Sequence, residues 1–303
     1  MSYLIHIVDL PYKREVEKVH SSRYGKKGIR CAPKSKPTKE DMKKINERNR
    51  IKKLRRKIEL NFDFGDYHTV LTYRKEERPT PVGARERLKA FLKALRKAYQ
   101  AQGQPLKYII VTEYENTAIH HHLLLNDIGR TPAMVRKLWN HGNAFFTVVR
   151  ERGDVEDLAA YLVKETQKSF RNPDNPSKLS YSCSRNLKPV IVKTKVVSAG
   201  TWRKEPVAPE GYWIAKDSIV TGYSKITGYP YQYYTCYKIT PDMIDDGSWI
   251  KPRERKRRNS GNWQSRKSGD LPRRDGTSRD TGKMPPDCMP GLLSRGRSKP
   301  CMR

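Results

Sequence analysis

Three consecutive histidines, His120-His121-His122, stand inside the octapeptide Ala118-Ile-His-His-His-Leu-Leu-Leu125, and the residues on either side commit the run to a strand. Side chains alternate along a strand, so Ile119, His121, Leu123 and Leu125 share a face that reads as core, while His120 and His122 share the other. The preceding segment, Lys107-Tyr-Ile-Ile-Val-Thr-Glu-Tyr114, is rich in β-branched and aromatic residues, and Glu115-Asn-Thr-Ala118 reads as a turn. The two strands make a hairpin. A turn centred between Asn116 and Thr117 pairs Tyr114 with Ile119 and Glu113 with His120, and directly paired side chains stand on one face about 4.5 to 5.5 Å apart at Cβ. Glu113, His120 and His122 therefore converge. One carboxylate with two imidazoles is a candidate ligand set for a divalent ion, Mn²⁺ or Mg²⁺, with open positions for water or a phosphate; zinc stays open as a third choice.

A lone His-x-His opposite a glutamate is more often a surface ion pair, and what tips the balance lies downstream. Residues Gly153 to Lys168 carry a helix signature: Asp154 is a candidate cap, and Asp157 is favourable near a helix amino terminus. At about 100° per residue, Val155, Leu158, Ala159 and Leu162 form an apolar stripe. Tyr161, Lys164 and Lys168 cluster on a neighbouring face. A phenol with a cation one turn on suits phosphoryl chemistry, because the phenol attacks while the cation favours phenolate and steadies the phosphate. A free phenol titrates only near pH about 10, so such help is needed.

Taken in order, these residues resemble the HUH endonucleases, and within them the single-tyrosine rolling-circle replication initiators of microviruses and related plasmids and bacterial elements. Leu71-Thr-Tyr73, Thr112-Glu-Tyr114, His120-His-His122, Tyr161-Leu-Val-Lys164 and Ser182-Cys-Ser-Arg-Asn-Leu-Lys-Pro189 carry the resemblance, which spans residues 66 to 190. It implies a metal-dependent, site-specific nick in single-stranded DNA at a replication origin, followed by rejoining. Tyr161 would be the nucleophile and Lys164 its catalytic aid, with Mg²⁺ or Mn²⁺ on Glu113, His120 and His122. Lys168, Arg185 and Arg74 would contact DNA, and a host polymerase and helicase would be partners. The middle residue of the triplet is usually hydrophobic in that family and here is His121, so a register slip of one residue would change which imidazoles face the metal.

Composition agrees. The 303-residue chain carries a net charge of +31 and is only 36% hydrophobic, with a mean hydropathy of -0.87 and a pI near 10.0. A polyanion is the expected partner, nucleic acid ahead of an anionic membrane surface, because each phosphate neutralised by Lys or Arg releases condensed counterions. The five cysteines, Cys31, Cys183, Cys236, Cys288 and Cys301, form no Cys-x-x-Cys pair, which argues against a zinc ribbon or a disulfide framework and fits a reducing compartment. No apolar run is long enough to span a bilayer, and the amino terminus lacks a signal-peptide layout, so the expected setting is a bacterial cytoplasm. A helicase-type Gly-x-x-x-x-Gly-Lys-Ser/Thr loop is absent, leaving unwinding to a partner or to DNA already single-stranded.

Four regions are expected. Residues 1–65 form a basic amino-terminal arm whose helix, capped by Thr38 and running from Lys39 to about Leu60, is either a DNA-binding arm or a solvent-exposed lever. Residues 66–195 read as strand Tyr67–Tyr73, helix Val82–Gln102, the hairpin, helix Pro132–Asn140 capped by Thr131 and ended by Gly142, strand Ala144–Val149 and the tyrosine helix. Leu88, Phe91, Leu92, Leu95 and Tyr99 fall at helical spacing as core. The order β-α-β-β-α-β predicts an α+β, ferredoxin-like (RRM-like) antiparallel sheet. Its open face would show Glu113, His120 and His122, provided the tyrosine helix crosses onto that face. Residues 196–249 are aromatic-rich short strands that either stack bases or pack on the main domain, and residues 250–303 form a basic, disordered tail. The rival readings are a single-tyrosine transposase, a relaxase, and a noncatalytic single-stranded nucleic-acid-binding protein with no use for convergent Glu and His.

Overall fold

The computed structural model describes residues 2–20, 36–115, 118–150, 152–169 and 181–239. In chain order these form strands β1 (Tyr3–Asp9) and β2 (Lys13–Val19), helix α1 (Lys39–Asn61), strand β3 (Tyr67–Leu71), helix α2 (Pro81–Gln100), strands β4 (Tyr108–Glu115) and β5 (Ala118–Leu125), helix α3 (Thr131–Leu138), strand β6 (Ala144–Val148), helix α4 (Arg152–Ser169), and strands β7 (Ser182–Cys183), β8 (Lys193–Val197), β9 (Tyr212–Ile214), β10 (Val220–Tyr223) and β11 (Pro230–Lys238). They divide into two compact units, one from Asn61 to Leu187, the other from the residues before and after that stretch.

In the Asn61–Leu187 unit the strands are all antiparallel, in the order β6-β3-β5-β4-β7. Without the short edge strand β7, the unit is a β-α-β-β-α-β fold with strand order four-one-three-two, the expected ferredoxin-like arrangement. The apolar residues between the histidines and the turn signals explain its core. Leu123 and Leu125 on β5 pack with Leu71, Tyr108 and Ile110 from neighbouring strands, with Phe91, Leu95 and Tyr99 of α2, and with Val135 of α3. Leu88 and Leu92 pack against the rim of this cluster. Each fully buried leucine contributes about 1.5–3 kcal/mol relative to leaving it in water. Helices α2 and α3 thus cover one face of the sheet.

Local details differ from expectation where tertiary contacts intervene. Strand β3 ends at Leu71, and the Tyr73 ring then turns inward against Trp139, with centroids 5.2 Å apart. Thr80 caps α2 by accepting from the Gly83 amide at 3.2 Å, with Pro81 at the first helical position. Thr131 is the first residue of α3 and not its cap; Arg130 holds the capping position without a side-chain bond. The Thr131 hydroxyl is instead bonded to the Tyr99 hydroxyl at 2.9 Å and accepts from the Ile128 amide at 3.2 Å. Helix α3 stops at Leu138, before Gly142. Gly142 serves close approach: a Cβ there would lie 2.2 Å from the Thr72 carbonyl oxygen.

In the other unit, β1, β2, β8, β9, β10 and β11 form one six-stranded sheet. The separate amino-terminal arm and separate aromatic extension of the sequence reading are therefore corrected: β1 and β2 pair with β8 and β11 in one sheet, and β8 already begins at Lys193. Helix α1 starts with a reciprocal cap, the Thr38 hydroxyl accepting from the Asp41 amide and the Asp41 carboxylate accepting from the Thr38 amide, each at 3.1 Å. Its basic residues split by face. Arg55 and Arg56 bond to buried Glu15 of β2, and Lys52 bonds to Glu17 at 3.1 Å. Lys39, Lys43, Arg48, Arg50 and Lys53 are exposed. Burial would raise the Glu15 carboxyl, but the two guanidiniums outweigh it and hold it below the usual carboxylate range. The basic tail expected at residues 250–303 lies outside the described residues. No helix among the described residues is long and apolar enough to cross a membrane.

Candidate active site

The hairpin pairs β4 with β5 in the register the turn demanded: Glu113 opposite His120, Tyr114 opposite Ile119 and Glu115 opposite Ala118, with residues 116 and 117 outside the described set. On β3, Val70 stands opposite His122 and His68 opposite Leu124. Alternation then gathers Glu113, His120, His122 and His68 on the sheet face away from α2 and α3. Burial is deep: Glu113 is 1% exposed, His122 0% and His120 8%.

His121 faces the other way. Its Nε2 lies 2.8 Å from the Tyr73 hydroxyl and its Nδ1 2.9 Å from Thr112 Oγ1, so a neutral ring donates at one nitrogen and accepts at the other. Burial, with neighbouring histidines adding to it, pushes His121 down to about 3, which keeps it neutral. A histidine fits where a hydrophobic residue was expected because both of its polar atoms are satisfied. The register is accordingly the one that sends His120 and His122 to the same side.

Helix α4 packs along β4 on that side. Its stripe is buried as expected, with Val155, Leu158, Ala159, Leu162 and Val163 inside. The register of the stripe swings Tyr161 over the histidines. The Tyr161 ring meets His122 edge-on at 5.3 Å between centroids and 78° between planes, and meets His68 at 6.2 Å and 69°. The His122 Nε2–H donates to Glu113 Oε2 at 3.1 Å. The structure thus brings together four of the expected residues, Glu113, His120, His122 and Tyr161.

The remaining expected residues stand apart from this cluster or outside description. Lys164, one turn beyond Tyr161, is exposed. Arg74 is exposed and paired with Glu77 at 3.3 Å, and Arg185 is exposed beyond β7. The side chains of Lys168 and Asp154 lie outside the described residues, and α4 begins at Arg152, which puts Asp154 inside its first turn.

The donor chemistry, one carboxylate and two imidazoles on one buried face, fits a divalent cation. Among the described residues, however, no three such groups are drawn into a finished metal cage, and Glu113 and His122 are bonded to each other. Binding would exchange that hydrogen bond for two metal contacts. Sequence reasoning missed His68. It sits parallel to His122, with centroids 5.7 Å apart and planes at 17°, and burial pushes it down to about 3, so it too is neutral. Its place in Asp66-Tyr-His-Thr-Val70, two residues before the Val70 that pairs with His122, was the available signal.

Residues 66–170 match the family model for the replication-associated protein ORF2. This segment runs from β3 through α4 and contains Glu113, His120, His122, Tyr161, Lys164, Lys168 and Arg74, with Arg185 beyond its end. The similarity supports a role in DNA replication as an initiator. No curated protein and no solved structure matches the chain.

Proposed function

We propose that the chain is a rolling-circle replication initiator of the HUH type, cutting and rejoining single-stranded DNA at an origin through Tyr161. The observation that carries this reading is the edge contact between Tyr161 and His122 at 5.3 Å, which joins the candidate nucleophile to the candidate metal set on one buried face. The match to a replication-associated family over the same residues supports it, as does a charge of +31 suited to a polyphosphate.

Glu113, His120 and His122 would hold the cation, Mg²⁺ or Mn²⁺, which when bound polarises the scissile phosphate and offsets charge growing on it. Tyr161 attacks the phosphorus: its oxygen–phosphorus bond forms as the bond to the 3′ oxygen breaks. The phenolic proton passes to water, and the departing 3′ oxygen takes one up as a free hydroxyl. Lys164, one helical turn on, favours the phenolate. The 5′-phosphotyrosine left behind conserves the bond, so a later 3′-hydroxyl can reverse the step and close the strand. The free 3′-hydroxyl primes a host polymerase, and a host helicase supplies the unwinding.

The test is incubation of the protein with single-stranded DNA of the genetic element that encodes it, with Mn²⁺ or Mg²⁺. A protein–DNA adduct that survives denaturing detergent in the wild type and vanishes in Tyr161→Phe supports the reading. Binding without an adduct under either metal supports a noncatalytic module instead.

A further inference from the structure

His68 belongs to no role described so far, yet it is one of the most constrained polar groups in its unit. It is 6% exposed, and its Nε2 is fully buried with no hydrogen-bond partner. A buried ring nitrogen left unmatched costs free energy comparable to a lost hydrogen bond, so natural chains keep one only where something else calls for it. Two chemistries could use a neutral imidazole here: ligation of the cation, or acceptance of a hydrogen from a neighbouring hydroxyl.

Register decides between them. His68 lies opposite Leu124, which is four residues along β5 from His120, the partner of Glu113. At about 3.3 Å per residue, His68 is roughly 13 Å along the strands from the Glu113–His120 pair. That is far outside the reach of a ligand set centred there. Tyr161, in contrast, makes ring contacts with both His122 and His68, so the phenol sits between the metal end of the face and the His68 end.

We propose that His68 is the positioning residue of the nucleophile, its Nε2 accepting the Tyr161 hydroxyl hydrogen so that the phenol oxygen is held for in-line attack. The inference rests on the reading of Tyr161 as the nucleophile. The neutral tautomer it requires carries its hydrogen on Nδ1 and leaves Nε2 as acceptor. His68 touches the phenol and not the cation, so its loss disturbs the oxygen's aim while leaving metal and DNA binding alone.

The experiment uses the full chain and compares His68→Gln with His68→Asn. The glutamine amide reaches the place of Nε2, whereas the asparagine amide reaches only that of Nδ1, and both are polar and smaller than the ring. Single-turnover adduct formation is read with single-stranded DNA of the encoding element and Mn²⁺, alongside DNA affinity by anisotropy and Mn²⁺ affinity by calorimetry. The expected result is that H68N slows adduct formation roughly 10- to 100-fold, the scale of a nucleophile misplaced by an ångström, while H68Q recovers most of the rate. DNA and Mn²⁺ affinities stay at wild-type values in both. Equal rates in the two variants, or a slow rate that tracks lost Mn²⁺ affinity, overturn the assignment. Should one variant not fold, H68L decides in its place: it fills the space without an acceptor, and a wild-type rate in it overturns the assignment as well. A wild-type protein that forms no adduct overturns the proposed function, which separates that failure from this one.

Discussion

Tyr161 stands edge-on to His122, with ring centroids 5.3 Å apart, and His122 in turn donates to Glu113 at 3.1 Å. A helix and two strands distant in sequence thus meet at one chemical point, and the pairing defines what each substitution should do.

Glu113→Gln keeps the shape of the side chain and its place opposite His120 but removes the charge. A bound cation stabilises transition-state charge by several kcal/mol, so adduct formation is expected to fall by roughly 100-fold or more. His122→Ala should fall at least as far. Mn²⁺ titration calorimetry on both variants is the check, with weakened metal binding expected to accompany the lost rate.

His121→Leu separates the triplet's two faces. Removing the ring leaves Thr112 and Tyr73 with lost partners and should cost about 1–3 kcal/mol of stability. The adduct should still form in conditions where the variant is folded, because His121 points into the helix-covered core. Denaturant unfolding and the detergent-resistant adduct assay read the two effects independently.

Gly142→Ala tests the close approach of the α3–β6 connection to the backbone after β3. The added methyl would meet the Thr72 carbonyl oxygen at 2.2 Å and the Tyr73 Cα at 2.8 Å. The connection must shift, at a cost of roughly 1–3 kcal/mol typical of overpacking. It would also disturb the bond from Trp139 Nε1–H to the Thr72 carbonyl, 2.9 Å long. Thermal unfolding measures the cost, and Trp139 fluorescence should change with it.

The hairpin register, the core face of α2 and the apolar stripe of α4 were legible in the sequence because each rests on local periodicity: Leu123 and Leu125 alternate with His122, and Leu88, Phe91, Leu95 and Tyr99 recur at helical spacing. The candidate metal residues follow from the same alternation. His68 was not legible, since a single histidine in a strand declares no partner until β3 is placed beside β5. Thr131 has the residue type and spacing of a cap, but the Tyr99 hydroxyl and the Ile128 amide compete for its oxygen, and tertiary contact won. The joining of β1 and β2 with β8 and β11 depends on pairing between segments more than 170 residues apart, for which no local pattern exists. Basic α1 looked uniform, and only the acidic partners on β2 sort its cations into buried pairs and exposed residues.

Those partners give a pH signature. The Glu15 carboxyl is held low by Arg55 and Arg56 despite burial, so its contribution to stability is complete above the ordinary glutamate value of about 4.3 and is lost as pH falls through the lowered one. Hydrogen exchange of the β2 amides should therefore accelerate as pH drops below about 4.3, after correction for the intrinsic rate. Glu15→Gln should remove that dependence and cost about 3–5 kcal/mol at neutral pH, because it strands two guanidiniums.

The most direct measurement is mass spectrometry of the peptide cross-linked to DNA after reaction with Mn²⁺ and nuclease trimming. A 5′-phosphonucleotide on Tyr161, absent from Tyr161→Phe, is the predicted result. A nucleotide carried by another residue, Tyr181 included, or cleavage that proceeds with no covalent peptide, would contradict the account.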